Sequence, residues 1–295
     1  MKSCSAILLA AGRSRRLGFD KILTPLAGRP VLHYALEALK SSPQIVEVIL
    51  VTREDILSQV KEIAEAANGE NPVKYVIGGA ERQDSVFNGL QEVSPLATEV
   101  LIHDAARPLL DEVVISDTLK VAREKGAAVT AHRANDTLKE ADEQQQVTVT
   151  LDRSKIWAMG TPQIFRRELV VSAYEKVQRE KLAITDDASA VELLGHPVYL
   201  VDNPRLNLKI TRQADWELLE LWLQRGSGEE LRKKLHDLSN QLMPLIGYLP
   251  LLEHHANDGK YVIDCLQKMK IPAQLAPQSV REIQELARQL FPDPK

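Results

Sequence analysis

The sequence predicts an α/β fold, a doubly wound and mostly parallel sheet with helices on both faces. Three observations carry this. Strand-like and helix-like segments alternate from Ala6 to Leu223. Several of the strand-like segments, residues 45–51 above all, are β-branched or aliphatic runs, in 45–51 interrupted by Glu47 alone, as expected of strands buried on both faces. The first apolar run, 6–11, ends at Gly12, after which Arg13, Arg15, Arg16 and Lys21 follow within nine positions, interrupted by Gly18. A basic, glycine-bearing loop at the carboxyl end of a buried strand suits a polyanion, because such sheets bind ligands there. A solvated basic turn is the plainer alternative. The spacing fits neither G-x-G-x-x-G nor a P-loop, since neither glycine is followed by Lys-Ser or Lys-Thr.

Taken in order, Arg29-Pro30 precedes an apolar-periodic stretch with Val31, Leu32, Ala35, Leu36 and Leu39, and Pro30 suits a first helical position. Residues 45–51 form the second strand. Residues 55–67 form an amphipathic helix with Ile56, Val60, Ile63 and Ala67 on one stripe. A third strand at 73–77 leads into Gly78-Gly79, then a helix begins at 85–91 and a strand follows at 99–103. A helix over 111–125 stops at Gly126, and 127–131 is again a strand. The alternation implies right-handed crossovers.

Residues 135–157 break the pattern. Residues 137–139 and 147–151 alternate at period two around a polar tip at 140–146. That is a β-hairpin with too little apolar surface to stand alone, so it is expected to reach a second subunit. Helices at 166–180 and 187–194 follow, the latter capped by Gly195, then strands at 198–201 and 208–210 and a closing helix at 213–223.

Residues 224–228, Gln-Arg-Gly-Ser-Gly, read as a flexible linker. Beyond it Leu231, Leu235, Leu238, Leu242, Leu245, Leu249 and Leu252 are spaced 4, 3, 4, 3, 4, 3. This heptad seam predicts helix-on-helix packing, broken near Pro244 and Pro250. A short helix at 261–269 and another at 279–290 would complete an all-α C-terminal helical hairpin. The expected organisation is one domain at 1–225, with the hairpin arm at 135–157, and a helical extension at 226–295.

Composition sets the outer bounds. With 44% hydrophobic and 26% charged residues the chain reads as a soluble globular protein. A net charge of -4 argues against a globally basic nucleic-acid binder, so anion binding must be local. Cys4 and Cys265 give no disulfide framework, and a reducing cytoplasmic location is expected. No window approaches the ~20 consecutive apolar residues of a membrane span. The N-terminal run reads as a strand rather than a signal peptide, since it runs into arginines.

Further clusters sit where loops should follow strands. Residues 78–85, Gly-Gly-Ala-Glu-Arg-Gln-Asp-Ser, form a glycine turn entering a helix. Residues 103–108, His-Asp-Ala-Ala-Arg-Pro, offer Asp104 to a hard cation such as Mg²⁺ and Arg107 to a phosphate. The hairpin carries Asp136-Thr137 on one arm and Asp152-Arg153 on the other, and Asn207-Leu208-Lys209 supplies another cation.

Together with Ala10-Ala11-Gly12, Arg16, Lys21, Asp136-Thr137-x-Lys139, Thr161-Pro162-Gln163, residues 185–190 (Thr-Asp-Asp-Ala-Ser-Ala) and Asn207-x-Lys209-x-Thr211, these clusters resemble the family of 2-C-methyl-D-erythritol 4-phosphate cytidylyltransferases (the IspD family). The resemblance covers roughly residues 4–224. It implies a Rossmann-like nucleotidyltransferase of the non-mevalonate isoprenoid pathway, transferring CMP from CTP to the polyol phosphate with release of pyrophosphate. It assigns transition-state stabilisation to Arg16 and Lys21. Arg153, Lys209 and Arg107 would bind the substrate phosphate side, assisted by Thr137. Ala10, Ala11, Gly12, Gly79, Arg82, Ser85 and Asp104 would bind the nucleotide, with Asp104 at a Mg²⁺ ion. The arm would cross to a partner in a homodimer, so Thr137 and Arg153 would serve the neighbour's site. The C-terminal helices are a second candidate contact. Arg13 and Arg15 are expected to be solvated neighbours only.

Two positions depart from the family pattern. Asp20 stands where a proline usually precedes the lysine, and only four residues separate Arg16 from Lys21. An acid there is expected to weaken the pull of Lys21 on phosphate. Leu206 replaces an acid often found before Asn-x-Lys, with Asp202 as a candidate substitute. Residues 235–248 resemble the H-box of histidine-kinase dimerisation domains, with His236 off the leucine seam. The alternatives are therefore a ribitol-5-phosphate cytidylyltransferase, which shares much of the motif set, and a signalling or scaffold protein centred on His236.

Overall fold

The structure, a computed structural model, describes residues 4–14 and 17–224. The residues through Glu217 belong to one compact unit. The linker and helical extension expected beyond residue 224, with His236, lie outside the described residues, as do Arg15 and Arg16.

The chain opens with β1 (Cys4–Leu9), followed by a two-residue pair, β2 (Pro25–Leu26) and β3 (Arg29–Pro30). Helix α1 (Val31–Ser41) starts after Pro30, which sits at the N-cap rather than the first helical position. It stops because Ser42 precedes Pro43 and is extended. Strand β4 (Ile45–Thr52) follows. The expected helix at 55–67 is a 3-10 turn (Glu54–Ile56) leading into α2 (Leu57–Ala66). Then come β5 (Val73–Ile77), α3 (Arg82–Gln91), β6 (Glu99–Asp104) and α4 (Glu112–Lys125). Asp111 caps α4 by accepting from Val114 N at 3.0 Å, and Gly126 ends it at φ 94°, where a β-carbon would be strained.

Strand β7 (Ala127–Arg133) precedes the hairpin, whose arms are β8 (Lys139–Ala141) and β9 (Val147–Thr150). Every residue of both arms is exposed. Strand β10 (Trp157–Arg166) was not expected from the sequence. Gly160 and Pro162 interrupt its pattern, and the register shifts between Met159 and Gln163, which is how a proline is admitted inside a sheet. Helices α5 (Arg167–Glu180) and α6 (Asp187–Glu192), strand β11 (Tyr199–Asp202) and helix α7 (Gln213–Gln224) complete the described chain. The strand expected at 208–210 does not form. Ile210 N donates to Ala106 O at 2.9 Å, and the segment runs on to α7 without joining a sheet.

The seven-stranded sheet has the order β5-β4-β1-β6-β10-β7-β11, with β10 antiparallel to both neighbours and all other pairs parallel. Alternate residues of β1 serve opposite faces. Ala6 and Leu8 pack with α1, α2 and α4, whereas Ile7 packs with α3, α5 and α6. That is the doubly wound arrangement. It also fixes the site, because the chain order reverses between β1 and β6 and leaves a crevice at their carboxyl ends.

Candidate active site

A cavity of about 1180 Å³ lies at the carboxyl ends of β1, β4, β5 and β6. Of the residues singled out in the sequence, Ala11, Gly12, Lys21, Gly79, Arg82, Ser85, Asp104 and Lys209 line it. Arg13, an exposed residue, borders it as well. Ala10 is buried one step behind, its N–H given to Val51 O at 2.7 Å.

The floor is set by close backbone approach. A β-carbon on Gly78 would come within 2.7 Å of the Ala11 side chain and 2.8 Å of Ser85 Oγ, and one on Gly79 would run into Asp84. Gly79 N donates to Ser85 Oγ at 3.1 Å, and a capping box between Glu81 and Asp84 starts α3 directly after.

Asp104 is the electrostatic centre. Its Oδ1 accepts from Arg82 Nε at 3.2 Å and its Oδ2 from Lys209 Nζ at 2.6 Å. Burial alone would favour the neutral acid, but Arg82 and Lys209 outweigh it and hold the carboxyl well below the usual range. Arg82 is clamped on its other side by Asp187, at 2.9 and 2.8 Å, and Tyr174 Oη donates to the same carboxylate at 2.5 Å. Asp187 and Tyr174 are fully buried, so this planar fork has a rigid seat.

Beneath Asp104 runs a buried relay. His103 Nε2 donates to Arg107 O at 3.0 Å, and His103 Nδ1 accepts from Thr161 Oγ1 at 3.0 Å, a tautomer assigned by the network. Thr161 Oγ1 in turn accepts the Asp104 N–H at 3.2 Å. Burial pushes the His103 pKa down to about 4, so the ring is neutral at pH 7. Asn207 Nδ2 donates to Thr161 O at 2.7 Å, tying the segment that carries Lys209 to the same relay.

Lys21 Nζ donates to Ile210 O, next to Lys209, at 2.7 Å, and Lys21 N to Ser14 Oγ at 3.3 Å. The Asp20 carboxylate, expected to weaken the pull of Lys21, pairs with Arg53. Asp20 Oδ1 also accepts from Ile22 N at 3.1 Å.

Other expected residues are not brought together. Arg107 does not line the cavity; its side chain turns to Asn207 O at 2.6 Å, and burial lowers its pKa. Thr137 and Arg153 stand exposed at the arm and do not line this cavity either. Arg153 donates to Asn135 O at 2.9 Å, within the root of the arm. Asp202 ends β11, exposed and away from the cavity lining, so it does not replace the acid missing at Leu206. Sequence reading missed Arg53, which lines the cavity, and gave no role to two residues of its quoted motifs, Thr211, which lines the cavity, and Asp187, which fixes Arg82. Arg53 follows β4 directly, and the strand-end rule that singled out Asp104 would have found it.

The sequence profile of the IspD family, 2-C-methyl-D-erythritol 4-phosphate cytidylyltransferase, matches residues 4–225. The enzyme of that name from Dictyoglomus thermophilum is 39% identical over 226 residues, covering 76% of this chain and 96% of the relative. The chloroplastic enzyme of Oryza sativa is 38% identical, covering 74% of each chain. Among solved structures, 4-diphosphocytidyl-2C-methyl-D-erythritol synthase from Anaerococcus prevotii superposes with a TM-score of 0.68 at 33% identity, covering 76% of this chain and 99% of that one. The Thermus thermophilus cytidylyltransferase gives 0.62 at 31% identity, covering 75% and 98%. The matched span holds the whole cavity and the arm, and the chain belongs to the 2-C-methyl-D-erythritol 4-phosphate cytidylyltransferase family.

Proposed function

We propose that the chain transfers CMP from CTP to 2-C-methyl-D-erythritol 4-phosphate, giving 4-diphosphocytidyl-2-C-methyl-D-erythritol and pyrophosphate. The observation that carries this is the placement of Lys21, Lys209 and Arg82 around one cavity at the sheet's switch point. A phosphate-monoester oxygen of the acceptor attacks the α-phosphorus of CTP. A new P–O bond forms there, the bond to the β-phosphate oxygen breaks, and pyrophosphate leaves with the electron pair. The nucleophile needs no deprotonation, so the chemistry reduces to bringing two polyanions together and neutralising the crowded transition state. Lys21, with Arg16 by resemblance, stabilises that charge, and Lys209 receives the acceptor's phosphate side. The narrow floor at Gly78 and Gly79, with Ser85 and Arg82 above it, suits the base and ribose.

Asp104 fits a Mg²⁺ that is held mainly by the triphosphate. Among the described residues no group of three acidic, histidine or cysteine side chains could hold a metal unaided. Mg²⁺ commonly takes one carboxylate and completes its shell with phosphate and water. When bound, it would neutralise triphosphate charge. Asp104 would contribute an oxygen already shared with Lys209 or Arg82.

The arm is assigned to a homodimer contact in which Thr137 and Arg153 complete the partner's site. The full exposure of β8 and β9 and their own short sheet support this. Among the described residues no helix is long and apolar enough to cross a membrane, in keeping with a cytoplasmic enzyme. The test is pyrophosphate release from CTP with methylerythritol phosphate or ribitol 5-phosphate as acceptor. Turnover with the first and not the second is expected; the reverse selects the ribitol enzyme, and none with either overturns the cytidylyltransferase reading.

A further inference from the structure

We infer that Arg53 is a positioning residue for the loop 12–21, tying both ends of that loop to the rigid end of β4. The inference rests on the cytidylyltransferase reading only in placing Lys21 at the reacting phosphates. Among the described residues of the loop, Leu17 N donates to Ser14 O at 3.0 Å and Lys21 N to Ser14 Oγ at 3.3 Å. Gly18 sits at φ 75°, so the turn is not held by local preference for extended backbone. The Lys21 side chain reaches Ile210 O at 2.7 Å, and the backbone on either side of it is held from the end of β4.

Arg53 does this with one planar fork. Its Nη1 donates to Gly12 O at 2.9 Å, at the start of the loop. Its Nη2 pairs with Asp20 Oδ2, one residue before Lys21. Its Nε donates to Asp55 Oδ1 at 3.1 Å, which orients the guanidinium. The same Asp20 carboxylate takes Ile22 N at 3.1 Å, so the fork reaches across Lys21 on both sides in sequence. A second anchor lies at the tip, where the Phe19 ring meets Trp216 edge-on at 5.2 Å. An exposed ion pair would be worth little. Here the Arg53 side chain is only 12% exposed and serves three acceptors on two segments, one of them a backbone carbonyl. Lysine, a point charge without the fork, could not reproduce that geometry.

The test compares full-length wild type with Arg53→Gln, Asp20→Asn, the double variant and Arg53→Lys. Steady-state kinetics are read together with hydrogen exchange of the amides at 17–22 in the free protein. Arg53→Gln and Asp20→Asn should each lower kcat about tenfold, with KM for the polyol phosphate held within about twofold. The double variant should be no worse than the worse single, because both remove one connection. The loop amides should exchange faster in all variants, with melting temperature little changed for the isosteric Asp20→Asn. Arg53→Lys should stay low in kcat. Additive losses, unchanged loop exchange, or full rescue by lysine would overturn the assignment. If wild type itself turns over neither acceptor, the cytidylyltransferase reading fails while the exchange data still decide the tether.

Discussion

At the carboxyl edge of the sheet, Asp104 is 8% exposed and gives both carboxylate oxygens to cations, while His103 below it is wholly buried and bonded through both ring nitrogens. On the arm every residue of β8 and β9 is exposed, and Arg153 is satisfied within the arm's own root. The first region is assembled from segments far apart in sequence: Arg82 meets Asp187, and Lys209 meets Asp104. The second is local in sequence and contributes nothing to its own chain's cavity. The cavity is thus preorganised within one chain, while the role proposed for the arm, completing a partner's site, is what the predictions on Arg153 test.

The largest effect should fall on the preorganised cavity. Lys21→Ala is expected to lower kcat by roughly 10²–10³, the scale for losing one charge partner aimed at the transition state. Single-turnover rates with CTP in excess would measure it. A near-wild-type rate would remove Lys21 from the chemistry.

Next in size is a stability effect confined to the buried region. An unfolded histidine has a pKa near 6.5, whereas buried His103 sits at about 4. The folded form thus binds fewer protons between those values, and its stability, complete above about 6.5, falls as pH drops toward 4. The loss should be about 2 kcal/mol between pH 7 and pH 5. Asp104 does not add to it there, since its lowered pKa costs stability only below the ordinary carboxylate range. Urea midpoints across that window would show the slope, and His103→Gln, which keeps a donor for Arg107 O, should flatten it.

On the arm, Arg153→Ala should raise KM for the polyol phosphate by about 10- to 100-fold, the cost of one charged hydrogen bond. CTP binding should not change. If the arm serves the neighbour, mixing Lys21→Ala with Arg153→Ala protomers should restore about a quarter of wild-type activity, because one mixed site has both intact parts. No recovery on mixing would place the arm in its own chain's site.

The two regions also differed in how far the sequence revealed them. Strands β1, β4, β5 and β6 were legible as buried apolar runs, and the loops after β1, β5 and β6 were found because ligands gather at strand ends. Strand β10 was not, because Gly160 and Pro162 hide a central strand whose pairing is settled by its neighbours. The segment 208–210 misled in the opposite sense: its apolar alternation reflects a tether at Ile210 N and Lys209 facing the cavity, not a ladder. Asp187 and Arg53 were invisible as partners, since an Arg82–Asp187 contact joins residues that no local pattern relates. The arm, by contrast, was legible as a hairpin because it is local, although its first strand is Lys139–Ala141 rather than 137–139.

The smallest expected effect separates structural wiring from surface decoration beside the cavity. Asp111 accepts from Val114 N at 3.0 Å through Oδ1 and pairs with Arg205 at 2.8 Å through Oδ2, so it joins α4 to the segment leading to Lys209. The Arg205 side chain is 53% exposed, and such a pair is worth little in water. The helix cap contributes more: Asp111→Ala should cost about 1 kcal/mol. Asp111→Asn keeps a capping oxygen and loses only the charge, so its unfolding midpoint should stay close to wild type. A loss with asparagine equal to that with alanine would move the weight to the ion pair. It would also make the segment carrying Lys209 depend on a surface contact, weakening the contrast between a buried, fixed cavity and an exposed arm.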